Sequence, residues 1–165
     1  MYYEKIFSAL QKGKVRYAVA GGVALVLHGV VRFTADLDLI VDLERENLGR
    51  FIAIMKELGY LPRNPVKADE LLAPESRAQW KREKNMEVFS FYAPAQPMEL
   101  IDVFIEEKFP FEDIIADMLV VTAKGVMIPV VSLRHLKKLK KAAGRPQDLA
   151  DIEALEALER TEEKE

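Results

Sequence analysis

Two aspartates separated by one residue, Asp36 and Asp38, stand inside the run Phe33 to Val41, which is otherwise largely apolar. On an extended chain, residues two apart project from the same face, about 7 Å apart at a rise of about 3.3 Å per residue. Carboxylates so placed can share or bridge hard cations such as magnesium. Without a cation they repel each other and lose hydration, which pushes at least one of them to keep its proton. The milder reading is an acidic pair on the solvated face of an edge strand. The apolar flanks read as buried, and a buried carboxylate requires a partner, so the metal reading is preferred. One strand cannot surround two ions, so a third acid must come from another segment. Asp102, set among Ile101, Val103 and Phe104, is expected to supply it. Glu99 is the competitor, but it lies beside Pro97, where it can reach water.

Upstream of the aspartates stands Gly21-Gly22, with positions 23–35 between the two motifs. A glycine pair after a strand lets backbone N–H groups approach a phosphate, and the helix that follows adds its positive end. Taken alone, such a pair is more often a tight strand-to-helix turn.

These residues need elements to hold them. Ile6, Ala9 and Leu10 recur at helical spacing before Gly13, which predicts an amphipathic helix over the first dozen residues. Tyr17 to Ala20 reads as a short buried strand, and Val23 to Leu27 as a helix reaching Gly29. From Thr34 the pattern alternates: Asp36, Asp38 and Ile40 face one way, Leu37, Leu39 and Val41 the other. Glu44 to Leu58 predicts a helix with Leu48, Phe51, Ile52 and Met55 on one stripe, closed by Gly59. Pro62 to Lys84 is polar and proline-rich, with a helix expected around Glu75 to Lys84. Met86 to Tyr92 and Met98 to Ile105 suggest paired strands. Leu119 to Thr122 and Val126 to Val131 form a hairpin around Ala123-Lys124-Gly125, with Pro129 expected to confine its strand to an edge. Ser132 is placed to cap a helix running to Ala143, stopped by Gly144, and Pro146 opens a last helix ending near Arg160, before a frayed tail.

The 165 residues are half hydrophobic, enough for one core, so one domain over 1–165 is expected, with C-terminal helices 132–160 packed on it. A net charge of -3 argues against a surface devoted wholly to nucleic acid. The chain has no cysteine, which excludes thiolate metal sites, disulfides and cysteine nucleophiles. The N-terminal stretch carries Glu4 and Lys5 where a secretion signal would be apolar, and Tyr17 to Val31 is too short and glycine-broken to span a bilayer. A soluble, cytoplasmic chain is expected. Of the remaining candidates, His28 reads as a packing or capping residue and His135 as a surface one. Lys137, Lys138, Lys140 and Lys141 read as a solvated helix face, with the added interest that a polyanion near the carboxylates would need cations. Glu112, Asp113, Asp117, Asp148 and Asp151 read as surface or capping acids, and Trp80 lacks neighbouring aromatics for base stacking.

Gly21-Gly22-x-Ala24, His28-Gly29, Arg32-x-Thr34-x-Asp36-x-Asp38 and the later Asp102 resemble the minimal nucleotidyltransferases of the DNA polymerase beta superfamily. The likeness is strongest to the branch that includes abortive-infection toxins of type IV toxin-antitoxin systems. The run Ser132-Leu133, Leu136, Lys140, Ala143-Gly144-Arg145-Pro146, Asp148 and Asp151 is similar to that branch as well. The resemblance implies an α/β (α+β) fold, a mixed sheet flanked by helices, like the polymerase beta palm. It implies transfer of a nucleoside monophosphate from a nucleoside triphosphate to an acceptor hydroxyl with Mg²⁺, or Mn²⁺ in its place. Asp36, Asp38 and Asp102 would be the catalytic metal ligands. Gly21, Gly22, Arg32 and Thr34 would contact the triphosphate, and Lys140 and Arg145 phosphate or substrate. The family's common form has serine where Gly22 stands, so one hydroxyl contact is missing. The acceptor, whether a transfer RNA end, a protein or a small molecule, is left open. The alternative is a catalytically inactive module of the same fold that binds a cognate partner protein, as in a toxin-antitoxin pair.

Overall fold

The structure is a computed structural model and describes residues 3–163. Its centre is a seven-stranded mixed sheet of order β3-β4-β5-β2-β1-β7-β6. Helix α1 (Glu4–Lys12) leads into β1 (Tyr17–Ala20), and the Gly21-Gly22 turn opens directly into α2 (Gly21–Leu27). Next come β2 (Leu37–Val41), α3 (Arg45–Glu57) and the two-residue β3 (Leu61–Pro62). A 3₁₀ turn at Ala68–Leu72 precedes α4 (Pro74–Lys84), with proline in its first turn. The hairpin β4 (Val88–Ala93) and β5 (Gln96–Phe104) is followed by α5 (Phe111–Asp117), the hairpin β6 (Leu119–Ala123) and β7 (Val126–Val130), α6 (Leu133–Ala143) and α7 (Pro146–Glu163). No helix among the described residues is long and apolar enough to cross a membrane.

Period-two alternation divides the central strands into two faces. Leu37, Leu39 and Val41 of β2, Ile101 and Val103 of β5, and Phe89 and Phe91 of β4 are all buried. With Phe7 and Leu10 of α1 and Leu48, Phe51, Ile52 and Met55 of α3 they form one hydrophobic cluster. Phe51 meets Phe91 edge to face, ring centres 6.0 Å apart. Asp38, Ser90 and Asp102 lie at alternate positions, on the other face.

Local chemistry sets the ends of α3. The Glu44 carboxylate accepts from the Glu46 and Asn47 backbone N–H groups, and Gly59 follows with φ +84°. Asn47 is fully buried; its side chain accepts from Arg16 N at 2.7 Å and donates to the carbonyls of Arg16 (3.0 Å) and Asp42 (2.8 Å). One amide thus ties α3 to the start of β1 and the residue after β2.

Several expectations need correction. Pro129 does not sit on an edge strand: β7 lies between β1 and β6, and β6 is the edge. The β1 ladder reaches β7 only at Val19–Val130, with Val131 N donating to Val19 O, so the donor that Pro129 lacks falls where that ladder has ended. The strand expected from Thr34 begins only at Leu37, and Phe33 is 90% exposed, so the buried stretch is shorter than the apolar run suggested. His135 is buried, stacked on Phe109 at 4.3 Å with Nδ1 near Ser132 and Asp117. Burial holds its imidazole below the usual histidine range despite Asp117. Trp80 is packed against Phe89 at 5.5 Å and belongs to the core. Helix α7 continues to Glu163, past Arg160, and the rest of the expected tail lies outside the described residues.

Candidate active site

The site is set by strand register. Strands β2 and β5 run parallel with Asp38 opposite Asp102, so both carboxylates leave the same face of strands about 4.8 Å apart. Strand β1 lies antiparallel on the other side of β2 and ends with Ala20 opposite Asp38. The glycine turn must therefore start beside that carboxylate. Gly21 has φ +63°, and a Cβ there would overlap the Asp38 carboxylate. A Cβ on Gly22 would lie 2.6 Å from Thr34 Oγ1 and 3.7 Å from the Arg32 guanidinium carbon. The two glycines are thus required by close approach, one to Asp38 and the other to the segment carrying Arg32 and Thr34.

Asp36 sits just before β2, and its Oδ1 accepts from Leu100 N at 3.2 Å, which fastens that loop to the middle of β5. Ser90 on β4 pairs with Asp102 in register and donates its hydroxyl to Asp102 Oδ1 at 2.6 Å. Burial, the Asp102 charge and the Asp36 charge push the Asp38 carboxyl up to about 7, against the pull of Lys140 and Arg145. Burial also raises Asp102; the Ser90 hydroxyl and Arg63 oppose it and Asp36 adds to it. Both carboxyls therefore keep their protons more readily than an ordinary aspartate.

The C-terminal cations arrive through buried acids. Lys140 is 8% exposed and reaches Asp151 at 3.0 Å and Asp148 at 3.5 Å. Arg32 Nη1 lies 2.6 Å from Asp151, and Arg145 Nε 2.8 Å from Asp148. Burial alone would raise Asp148, yet the bonds from Arg145 and the Lys140 charge hold it below its ordinary value. The expectation that Asp148 and Asp151 are surface acids is corrected: they are 1% and 3% exposed, although Asp148 also caps α7 by accepting from Arg145 N. Lys140, read with its neighbours as a solvated face, is turned inward, while Lys138 and Lys141 remain outside. A sequence signal for the acids exists: Asp148, Asp151, Ile152 and Leu155 share one helical stripe, which places two carboxylates on an apolar face.

The structure thus brings Asp36, Asp38, Gly21, Gly22, Arg32, Thr34, Lys140 and Arg145 to one end of the sheet, with Asp102 in register beside Asp38. Sequence reasoning missed Ser90, Arg63 and Tyr3. The Tyr3 hydroxyl bonds the Ala35 carbonyl, and burial with Glu99 and Asp36 raises its phenol. Burial raises the phenols of Tyr3 and Tyr60, and the charge of Glu99, which lies toward both, adds to it. His28 Nε2 meets the Val131 carbonyl at 2.8 Å, a packing role.

Among the described residues no three carboxylate or imidazole groups converge tightly enough to enclose one ion. Each aspartate is engaged elsewhere: Asp36 with Leu100, Asp38 against Gly21, Asp102 with Ser90. The donor chemistry nevertheless fits a hard divalent cation, since Asp38 and Asp102 offer carboxyl oxygens of the kind such an ion takes and their raised carboxyls would gain from a positive neighbour.

The mixed sheet flanked by helices is the fold of solved nucleotidyltransferase structures. Solved structures of that class superpose on most of the chain. Lincosamide antibiotic adenylyltransferase LnuA, bound to lincomycin, matches with a TM-score of 0.60 and 16% identity over 93% of each chain. ANT(2")-Ia, in complex with adenylyl-2"-tobramycin, gives 0.58 and 17%, covering 96% of this chain and 91% of its own. TM1012 of Thermotoga maritima, assigned as a nucleotidyltransferase, gives 0.57 and 17%, covering 99% and 92%. No family model matches the sequence, and no curated protein matches it.

Proposed function

We propose that this chain is a nucleotidyltransferase that moves a nucleoside monophosphate from a nucleoside triphosphate to an acceptor hydroxyl. The observation that carries the reading is the register of Asp38 with Asp102 beside the Gly21-Gly22 turn, with Asp38 raised to about 7 by burial and by its acidic neighbours. Carboxyls crowded in this way, in a fold shared with an adenylyltransferase, support the reading of a site for a cationic group.

In this reading the N–H groups of the glycine turn and the side chains of Arg32, Thr34, Lys140 and Arg145 bind and orient the triphosphate. Asp36, Asp38 and Asp102 would hold divalent cations, Mg²⁺ or Mn²⁺ in its place, which would supply neutralisation of charge on the phosphoryl oxygens. The acceptor oxygen bonds to the α-phosphorus as the bond to pyrophosphate breaks. Asp102, its carboxyl raised, is suited to take the hydroxyl proton. Two of the structural neighbours are bound to antibiotic molecules, which favours a small hydroxyl-bearing acceptor for this chain as well. A cytoplasmic setting accords with this chemistry, which draws on a pool of triphosphates.

A second reading is favoured by one contact. The Asp38 carboxylate fills the space over Gly21, which leaves less room there for a phosphate and favours a module of this fold that binds a partner instead, such as one half of a toxin-antitoxin pair of the branch its motifs resemble. Incubation with α-labelled triphosphates, Mg²⁺ and a fractionated lysate separates the two. Transfer of label by the wild-type chain is expected, with Asp36→Ala and Asp38→Ala losing it by a factor of about a thousand or more. Asp102→Asn should lose as much and Glu99→Gln little. Label transfer undiminished in the Asp38 variant would end the enzymatic reading.

A further inference from the structure

Asp151 carries more contacts than a helix-face acid needs. Its Oδ2 takes both Arg32 Nη1 at 2.6 Å and Lys140 Nζ at 3.0 Å, and its Oδ1 accepts from Gln147 Nε2 at 2.9 Å. These donors come from three places: the segment after α2, helix α6 and the first turn of α7. At 3% exposure the carboxylate is closed off from any ligand. Its oxygen draws together two cations that would otherwise repel, one of which lies against Gly22 and the other close enough to act on Asp38. A buried pair of this kind is weak evidence for stability, since desolvation offsets most of the attraction, and its better-attested use is to fix one arrangement. Asp148 does a parallel job for Arg145 and shares Lys140. Three cations against two acids leave one positive charge unmatched, beside the glycine turn.

We propose that Asp151 is a positioning residue for the triphosphate, holding Arg32 and Lys140 as a fixed pair of phosphate donors facing Gly21-Gly22 and setting nucleotide affinity without touching the nucleotide. The inference rests on the nucleotidyltransferase reading above and adds a residue that acts through two others. It explains why an acid is placed on the apolar stripe of α7, where a leucine would pack at lower cost.

The test is calorimetric titration of ATP, CTP, GTP and UTP, each with Mg²⁺, into wild type, Asp151→Asn, Asp151→Glu, Arg32→Gln and the double variant Asp151→Asn/Arg32→Gln. Circular-dichroism melts run alongside. Folded Asp151→Asn is expected to lose about tenfold or more in affinity for whichever triphosphate the wild type takes, a loss of about 1.4 kcal/mol per factor of ten. Asp151→Glu should recover part of it. In the Arg32→Gln background the same change should cost less, because one of its two routes to the ligand is already cut and only Lys140 remains. A lowered melting temperature with unchanged affinity, or losses that simply add, would overturn the proposal. If Asp151→Asn fails to fold, Asp151→Glu carries the test: wild-type affinity in that folded variant counts against positioning. Binding of none of the four by the wild type removes the nucleotidyltransferase reading and this inference together; wild-type binding that Asp151→Asn leaves intact removes the inference alone.

Discussion

Asp38 is the residue on which the site's electrostatics turn. Its carboxyl titrates near 7 in the folded chain against an ordinary value of 3.8. A raised acid contributes stability that is full below about pH 4, where folded and unfolded chains both hold the proton. That contribution is lost as pH rises through 7, because the folded chain must then carry a buried, repelled charge. At about 1.4 kcal/mol per pH unit between the two values, the loss is on the order of a few kcal/mol. Asp102, also raised, adds in the same direction. Urea midpoints measured in chelator are therefore expected to fall between pH 4 and pH 8, and Asp38→Asn should flatten most of that fall and exceed the wild type at pH 8. A variant as pH-sensitive as the wild type would assign the strain to another group. Asp148 works in the opposite sense: its lowered carboxyl stabilises above its ordinary value, and that support is lost as pH falls.

At the scale of elements, Asn47 is the most exposed to test. Truncation to alanine strands the Arg16 N–H and two carbonyls in a fully buried place. Asn47→Ala is expected to cost about 2 to 4 kcal/mol in denaturant unfolding, whereas Arg50→Ala, whose contacts there are longer and solvent-exposed, should cost well under 1 kcal/mol. Elements governed by local chemistry were legible in the sequence: β1, the glycine turn, α3 with Gly59 behind it, and α6 between Ser132 and Gly144 follow period, caps and breakers. The face taken by Asp38 was legible because alternation places residues on faces without knowledge of partners, whereas Asp36 lies before β2 begins. What failed depended on distant neighbours. His135 is buried because Phe109, twenty-six positions away, covers it. Pro129 is tolerated inside the sheet because the β1–β7 ladder is confined to Val19–Val130. Asp148 and Asp151 looked like surface acids because nothing local to α7 announces that Lys140 and Arg32 come to meet them. Phe33 misled in the other direction: an apolar residue next to Thr34 is turned to solvent while Thr34 is turned toward Gly22.

For the whole molecule, the consequence is a chain held together around an incompletely neutralised centre. One face of the sheet is sealed by α1 and α3 around a continuous core. At the other end lie the aspartates and the glycine turn, and ion pairs of Arg32 and Lys140 with Asp151 tie the segment after α2 to the α6–α7 pair. A ligand that brings cations to the aspartates and phosphates to the basic side chains relieves the repulsion and bridges both layers, and whatever binds only the folded chain stabilises it by mass action. At a hundredfold excess over its dissociation constant, a Mg²⁺-triphosphate should add about 2.7 kcal/mol, which for a chain of this size raises the unfolding midpoint by about 5 to 10 °C. Scanning fluorimetry with and without nucleotide reads this directly. Mg²⁺ alone should produce a smaller shift, and that shift should shrink further at pH 5.5 relative to pH 8, because below about 7 the Asp38 carboxyl keeps its proton and competes with the cation. Asp38→Asn should abolish the difference between the two pH values. A midpoint that ignores Mg²⁺ and every triphosphate at both pH values would mean that the charge gathered on this side of the sheet serves some purpose other than binding them.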